Sequence, residues 1–352
     1  MIKLAVLFGG KSTEHNISVV SGTSIISNLD KEKYEIYPVY IDLEGKYYKY
    51  NKPIEDIKPL KIDEEIIELE WIDNIYNYLE NIDVVFPVLH GMYGEDGSIQ
   101  GMLELIGKKY VGCKVLSSAL CMDKVYAKVL FKTSGIEVAK SMYIKKQKED
   151  YIYIDDNFNR IILDKISIKK EVSDYLKYPV FIKPSNSGSS VGVSKVNTSD
   201  ELIDNLEEAF KYDTKVLIEE AIKGREVECA VLGNDNILAS YIGEVLSAGE
   251  FYSYDSKYKN KESVTVIPAE IDSNIMEKIR LLAVKAYQTC DCSGLSRVDF
   301  FIEEDTNRII LNEINTMPGF TEISMYPKLM EYMGYSYSKL LDTLIELAMD
   351  IK

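Results

Sequence analysis

The sequence predicts an α/β protein that opens with a parallel, doubly covered layer and continues into at least one further domain. Three observations carry this. The chain has 352 residues, more than one ordinary core organises. The apolar run Leu4–Phe8 stops at Gly9-Gly10, and a second run, Val84–Leu89, stops at His90-Gly91. A short apolar run closed by glycine reads as a strand buried on both faces that feeds a loop. In an open α/β layer ligand groups sit beyond the carboxyl ends of the strands. Both glycine loops fall there.

The elements follow in order. After the first strand, Ser21–Leu29 suits a helix and Tyr34–Tyr40 a strand. Residues Ile144–Tyr178 are charged and show no clear apolar period, so they are expected to form an irregular peripheral insertion. Strand character returns at Val180–Lys183, directly before a glycine-serine loop. Between 200 and 211, Leu202, Ile203, Leu206, Ala209 and Phe210 share one helical face. Val216–Glu219 and Val227–Leu232 read as strands. A last helix spans about Ser338–Met349, with Leu340, Leu341, Leu344, Ile345 and Ala348 in register. No internal repeat, heptad run or low-complexity tract is present.

Composition narrows the partners. Lysine and arginine number 41 against 57 acids, so the formal charge is 41 − 57 = −16. An acidic surface repels nucleic acid and anionic membranes, and neither is expected as a partner. An anionic ligand would need a local cluster of cations. No run approaches the ~18 apolar residues of a membrane span, and the amino-terminal run is too short for a signal peptide, so a cytoplasmic location is expected. Five cysteines, an odd count, argue against a disulfide framework. Cys290 and Cys292 bracket one residue, which is poor zinc spacing, and all five are read as packing residues.

Several segments carry chemistry. Gly9-Gly10-Lys11-Ser12 tempts a phosphate-loop reading, but that motif needs glycine where Ala5 stands. Lys183 to Gly192 is richer: small residues after a strand offer successive backbone N–H groups to an anion, and Lys183 supplies a full charge. A flexible surface loop is the plainer alternative. In Arg297–Ile302 the alternation puts Arg297 and Asp299 on one face, and Val298, Phe300 and Ile302 on the other. A hairpin centred on Thr306 would oppose Asp299 to Glu313 and Arg297 to Asn315. Two opposed carboxylates repel unless a cation lies between them. Asp299, Glu313 and the Asn315 carbonyl form a hard-oxygen set suited to Mg²⁺ shared with phosphate. Singly, Glu14, Lys124, Glu219, Glu226 and Lys257 would each more often be surface residues. His90 serves equally as a loop-stabilising residue or a ligand contact.

Taken together, the motifs resemble the D-alanine–D-alanine ligases of the ATP-grasp superfamily over nearly the whole chain. The pieces, in the family's order, are Phe8-Gly-Gly-Lys-Ser-Thr-Glu14, His90-Gly-Met-Tyr-Gly-Glu-Asp-Gly97 with Gln100-Gly101, and Met122-Asp-Lys124. They continue with Lys183-Pro-Ser185, Gly188-Ser-Ser-Val-Gly192, Phe251-Tyr252, Ser256-Lys-Tyr258, Arg297-Val-Asp299 and Asn312-Glu-Ile-Asn-Thr-Met-Pro-Gly319. One departure is Asn16, where the family often has glutamate. The resemblance implies a fold of an amino-terminal α/β substrate domain (1–112), a central ATP-grasp subdomain (113–222) and a carboxyl-terminal one (223–352) with a lid at about 246–266.

It also implies roles. ATP would lie between two antiparallel sheets, with Lys124, Lys183 and Ser190 at its phosphates, Glu226 on the ribose, and Glu219, Glu220 and Ile222 along the adenine. Asp299, Glu313 and Asn315 would hold two Mg²⁺ ions, with Mn²⁺ as a substitute. Glu14 would bind the ammonium of the first D-alanine, linked to Ser189 and Tyr258, with His90 nearby. Tyr252 and Lys257 belong to the lid, with Lys257 reaching the γ-phosphate. Arg297 and the Gly319 N–H would stabilise the oxyanion, and Ser324 and Met325 would bound the second amino-acid site. The implied activity is ATP-driven synthesis of D-alanyl-D-alanine through a D-alanyl phosphate, for peptidoglycan precursors, by a homodimer. Ligases for D-lactate typically carry histidine at the Tyr258 position, and D-serine ligases tend to carry arginine at Met325. D-alanine is therefore the favoured second substrate and D-serine the alternative. A non-catalytic nucleotide-binding protein would need a broken metal set or oxyanion site, and Asp299, Glu313, Asn315 and Arg297 are all present.

Overall fold

The computed structural model describes residues 1–51, 57, 69–246, 264–321 and 323–350. Its described strands form three sheets. The first contains β1 (Ile2–Gly9), β2 (Tyr34–Ile41), β3 (Tyr47–Tyr50), β4 (Leu69–Trp71), β5 (Val84–Val88) and β6 (Lys109–Tyr110), in the order β4-β3-β2-β1-β5-β6. β1 pairs in parallel with both β2 and β5, and β5 with β6, as the apolar runs predict. Leu4, Val6 and Phe8 enter one core, and Ala5 and Leu7 another. That two-sided burial is why these strands read as unbroken apolar runs. Helix α1 (His15–Asn28) covers one face, and α2 (Ile75–Leu79) and α3 (Ser98–Leu105) supply the other core. α1 starts six residues before the predicted Ser21, because its first turn buries His15 and Ser18 while its one aliphatic residue, Ile17, is only half-buried.

Helices α4 (Val115–Met122) and α5 (Lys124–Thr133) lead to the second sheet. It comprises β7 (Ser141–Gln147), β8 (Asp150–Ile154), β9 (Arg160–Leu163), β10 (Val180–Pro184), β11 (Ser194–Val196) and β12 (Lys215–Glu220), with α6 (Lys165–Tyr175) and α7 (Leu202–Ala209) packed on it. The expected irregular insertion at 144–178 is therefore wrong: β7, β8, β9 and α6 are regular elements of this layer. Met142, Ile144, Tyr151 and Leu163 alternate into the core, and Ile168, Val172 and Leu176 follow at every fourth residue on the α6 side. Strands this short, with lysine and tyrosine on their open face, hide the period from a long window.

The third sheet holds β13 (Gly224–Leu232), β14 (Leu238–Leu246), β15 (Val264–Val266), β16 (Leu295–Glu303) and β17 (Ile309–Asn315) in the order β15-β14-β13-β16-β17. Every pairing between the named strands of the second and third sheets is antiparallel. Val298, Phe300 and Ile302 pack on α8 (Ser273–Thr289), whose Ile279, Ala283, Ala286 and Tyr287 form its buried stripe. Two last helices, α9 (Met325–Tyr332) and α10 (Tyr337–Asp350), share a core with β1 and β5. All five residues predicted to face inward on α10 are buried. Through this shared core the carboxyl end is welded to the amino-terminal sheet.

Candidate active site

The three sheets converge on one cavity of about 990 Å³. Its floor is the polar face of the third sheet. Asp299 pairs with Glu313 and Arg297 with Asn315, the register expected of the hairpin; a bulge after Asp299 then shifts Phe300 opposite Leu311. Arg297 donates to both oxygens of Asp299, from Nε to Oδ1 and from Nη2 to Oδ2, each at 2.7 Å. Its Nε also lies 3.0 Å from Glu228 Oε2, and the Asn315 amide donates to Asp299 Oδ2 at 2.9 Å. Glu228 is opposite Asp299 on β13. Among the described residues, no three histidine, cysteine or carboxylate side chains gather as a metal cluster; the predicted set contributes two carboxylates and an amide.

Helix α5 and the second sheet supply cations. Asp123 caps α5 by accepting from Val125 N and Tyr126 N, and it is fixed in turn by the Ser185 hydroxyl at 2.6 Å and by Lys215. Lys124, at the first position of that helix, reaches the Ser187 carbonyl at 2.8 Å and stands 3.6 Å from Glu313. Lys183 lies 2.6 Å from Glu219 Oε2, and Lys128, which sequence reasoning did not single out, lies 2.6 Å from Glu219 Oε1. Burial alone would raise the Glu219 carboxyl, yet the two lysines hold it down at about 2. Its side chain is thus engaged in ion pairs. The neighbouring Glu220 accepts from Lys140 N and Arg308. Ile222, Glu226 and Ser190 line the cavity.

The glycine-serine loop after β10 carries Ser189 and Ser190 at φ 47° and 60°. Two consecutive side chains in this sparsely populated region mark strain of the kind found at ligand clamps. Ser189 donates to Glu14 Oε1. Gly91 and Gly188 flank the same carboxylate so closely that a Cβ on either would stand 2.3 or 2.5 Å from Glu14 Oε2. A side chain at either position would displace the Glu14 carboxylate, so the two glycines let it sit where it does. The tempting Gly9–Ser12 segment is a turn: Gly9 and Gly10 have φ of 96° and 94°, and Ser12 Oγ donates to the His90 carbonyl.

His90 is a brace. Its Nδ1 pairs with the Met317 carbonyl at 3.0 Å and its Nε2 with Ser21 Oγ at 2.9 Å. Glu95 accepts from Gly91 N at 2.8 Å and Met317 N at 3.0 Å, tying the same two loops. Burial and the Glu14 charge push the Glu95 carboxyl up to about 8. Burial, with Arg297 adding to it, lowers His90 from 6.5 to about 4, so the ring is neutral and donates from Nδ1. The unfolded chain therefore binds a proton here between those values and the folded chain does not. His90 contributes stability that is complete above about 6.5 and lost as pH falls through about 4, on the order of 3 kcal/mol. We expect His90→Gln to remove that loss, read as urea midpoints from pH 7 to 4; equal slopes in both proteins would refute it.

Gly319 follows in the loop after β17, and a Cβ there would lie 3.0 Å from Ser324 Oγ. Ser324 Oγ accepts from Thr321 N at 3.0 Å. Met325 is buried at the start of α9, its sulfur against Gly243. Tyr252, Lys257 and Tyr258 lie outside the described residues. Lys128, Glu95 and Glu228 were missed, although Lys128 follows Lys124 by one helical turn and Glu228 shares the face of Glu226 on an alternating strand. All five cysteines are free thiols, four buried and Cys292 half-buried, with the Cys121 and Cys292 sulfurs 3.9 Å apart. No described helix is long and apolar enough to cross a membrane.

Two family descriptions match: "D-ala D-ala ligase N-terminus" over residues 3–113 and "D-ala D-ala ligase C-terminus" over residues 130–346. The D-alanine–D-alanine ligase of Caldicellulosiruptor bescii is 48% identical, covering 99% of this chain and 95% of that protein. The VanG D-Ala:D-Ser ligase of Enterococcus faecalis has a similar structure, with a TM-score of 0.85, 39% identity and 99% of both chains covered. The ATP complex of the Bacillus anthracis D-alanine–D-alanine ligase gives a TM-score of 0.74 at 30% identity, covering 99% of this chain and 97% of that one.

Proposed function

The chain belongs to the D-alanine–D-alanine ligase family, and we propose that it joins two D-alanines at the expense of ATP, within the ATP-grasp fold. The observation that carries this reading is the convergence, on one cavity, of the glycine-cradled Glu14 with Lys124 and Lys128 of α5, Lys183 of the second sheet, and Arg297, Glu313 and Asn315 of the third, with Asp299 buried and hydrogen-bonded to Arg297 and Asn315. An anionic clamp for an ammonium thus faces a cationic site for phosphates.

In this reading Lys124, Lys183 and Ser190 bind the ATP phosphates, Glu226 the ribose, and the Glu219–Ile222 segment the adenine. Glu14, held by Ser189, takes the ammonium of the first D-alanine and turns its carboxylate to the γ-phosphate. Transfer of the phosphoryl group makes a D-alanyl phosphate; the amine of the second D-alanine attacks it, and phosphate leaves. The donor set of Asp299, Glu313 and Asn315 fits Mg²⁺: two carboxylates face each other across a strand pair, and Arg297 and Lys124 now balance their charge. When bound, the metal neutralises charge on the phosphate oxygens. Arg297 and the Gly319 N–H aim at the developing oxyanion, each contributing typically ~3–4 kcal/mol. His90 and Glu95 hold the loop that carries Gly319, and so act as positioning residues. The lid residues Tyr252, Lys257 and Tyr258 are proposed to close the cavity against water, which would hydrolyse an acyl phosphate.

The residue divisions 1–112, 113–222 and 223–352, each containing one sheet, are proposed as the three domains, in a cytoplasmic homodimer. The second substrate is proposed as D-alanine. Met325 presents an apolar wall and no hydrogen-bond donor, and such a wall rejects an added hydroxyl only ~10²-fold, which keeps D-serine as the alternative. The likeness to a D-Ala:D-Ser ligase supports testing it. Phosphate release from ATP is expected with D-alanine and magnesium and not with L-alanine, and mass spectrometry of products from D-alanine and D-serine in competition should yield chiefly D-alanyl-D-alanine. Equal turnover of L-alanine, or a mainly mixed dipeptide, would sink the assignment.

A further inference from the structure

One buried cation at the nucleotide end of the cavity has no role in the mechanism above. Lys128 sits one turn beyond Lys124 on α5 and so projects from the same side of the helix. Its residue is 4% exposed and Glu219 is 2% exposed. The carboxylate of Glu219 is shared: one oxygen is 2.6 Å from Lys128 and the other 2.6 Å from Lys183. A lysine this deep loses its hydration and persists only where an anion compensates it. Here the arrangement does more than compensate. Lys183 is the cation on the phosphate side, and it also reaches Asn312 Oδ1 at 3.5 Å. Without Lys128, the whole charge of Glu219 would fall on Lys183, hold it back from an incoming phosphate, and add one net negative charge to a site that must attract anions. At low local dielectric a full charge a few ångströms away dominates such a balance.

We propose that Lys128 is a positioning residue for nucleotide binding: it neutralises Glu219 from behind, and thereby releases Lys183 to engage the phosphates. This rests on the reading of Lys183 as a phosphate ligand. The test uses the full chain and inorganic tripolyphosphate, which has phosphates but neither adenine nor any reaction to undergo, with affinity read by titration calorimetry. Lys128→Met is expected to weaken binding about tenfold, the change that one altered charge interaction of ordinary size produces. The double variant Lys128→Met/Glu219→Gln is expected to regain most of that loss, because the charge that detained Lys183 has gone. Glu219→Gln alone should bind tripolyphosphate more tightly than the parent, and it keeps the test open if Lys128→Met does not fold by circular dichroism.

Unchanged affinity in a folded Lys128→Met overturns the proposal. So does a double variant as weak as Lys128→Met, which would make Lys128 a direct phosphate ligand, and so does weaker binding by Glu219→Gln alone. Lys183→Met separates the two layers. If it weakens binding while Lys128→Met does not, only the positioning role fails. If Lys183→Met binds as the parent does, the phosphate-site reading itself fails.

Discussion

Glu313→Ala is expected to lower kcat by about three orders of magnitude while moving the thermal midpoint little. Glu313 lies opposite Asp299 across the β16–β17 pair, with Lys124 at 3.6 Å. A metal on a transferring phosphoryl group supplies several kcal/mol of charge stabilisation, and each 1.36 kcal/mol is tenfold in rate. Losing one of its two carboxylates therefore costs turnover heavily. Stability changes little, because the half-buried Glu313 gives up its ion contact with Lys124 at 3.6 Å but also leaves the like charge of Asp299 opposite it, and the two effects offset. Two measurements separate chemistry from damage, namely kcat at saturating D-alanine and ATP, and Mn²⁺ binding to the ADP-bound protein. Unaltered turnover would show that the metal set has been misread. Unaltered Mn²⁺ affinity with lost turnover would move Glu313 from metal ligand to another catalytic task.

Phe320→Ala is expected to cost about 3–5 kcal/mol of stability, as deletion of a buried aromatic ring does. Phe320 has no exposed surface, and its ring centroid lies 6.2 Å from Phe86, 5.6 Å from Tyr326 and 5.9 Å from Tyr337. Phe86 belongs to the amino-terminal sheet, Tyr326 and Tyr337 to the last two helices, so the ring joins the two ends of the chain. Its backbone is held as well: Phe320 N donates to Ser21 Oγ at 3.3 Å, and Tyr337 donates to the Phe320 carbonyl. A loss of this size is a large share, from about a fifth upward, of the ~5–15 kcal/mol that stabilises an ordinary domain. Because Gly319 is the preceding residue, kcat should fall together with stability, where KM for ATP should not. The contrast is Leu281→Ala, at a residue 63% exposed on α8, where about zero is expected. Urea denaturation and steady-state kinetics read both effects; equal midpoints for Phe320→Ala and Leu281→Ala would refute the central place given to this ring.

The fold was most legible where burial left a single strong period. β1 and β5 showed as apolar runs because both faces of the first sheet are covered, and α10 showed all its inward residues because it packs along one continuous stripe. The β16–β17 hairpin was readable in register at its cavity end, where Asp299 meets Glu313 and Arg297 meets Asn315, since an apolar face on α8 and a polar face on the cavity impose alternation. The bulge after Asp299, which shifts the later pairs by one residue, was not. Legibility failed at 144–178 and at the start of α1. There short strands or buried polar side chains carry the packing, and no window of apolar residues betrays them.

Alternation and turn chemistry in the sequence alone determined that Arg297, Asp299, Glu313 and Asn315 share a face, because neighbours two residues apart on a strand must point the same way. Only the tertiary structure decided what each charge meets. Glu14 is cradled by Gly91 and Gly188 from two distant loops, Glu219 stands between Lys128 and Lys183 on separate elements, and Glu95 and His90 grip Met317 more than two hundred residues away. Local pattern sets which way a side chain points. The partner that desolvates it and fixes its charge arrives from elsewhere in the chain, and no spacing along the sequence encodes that meeting.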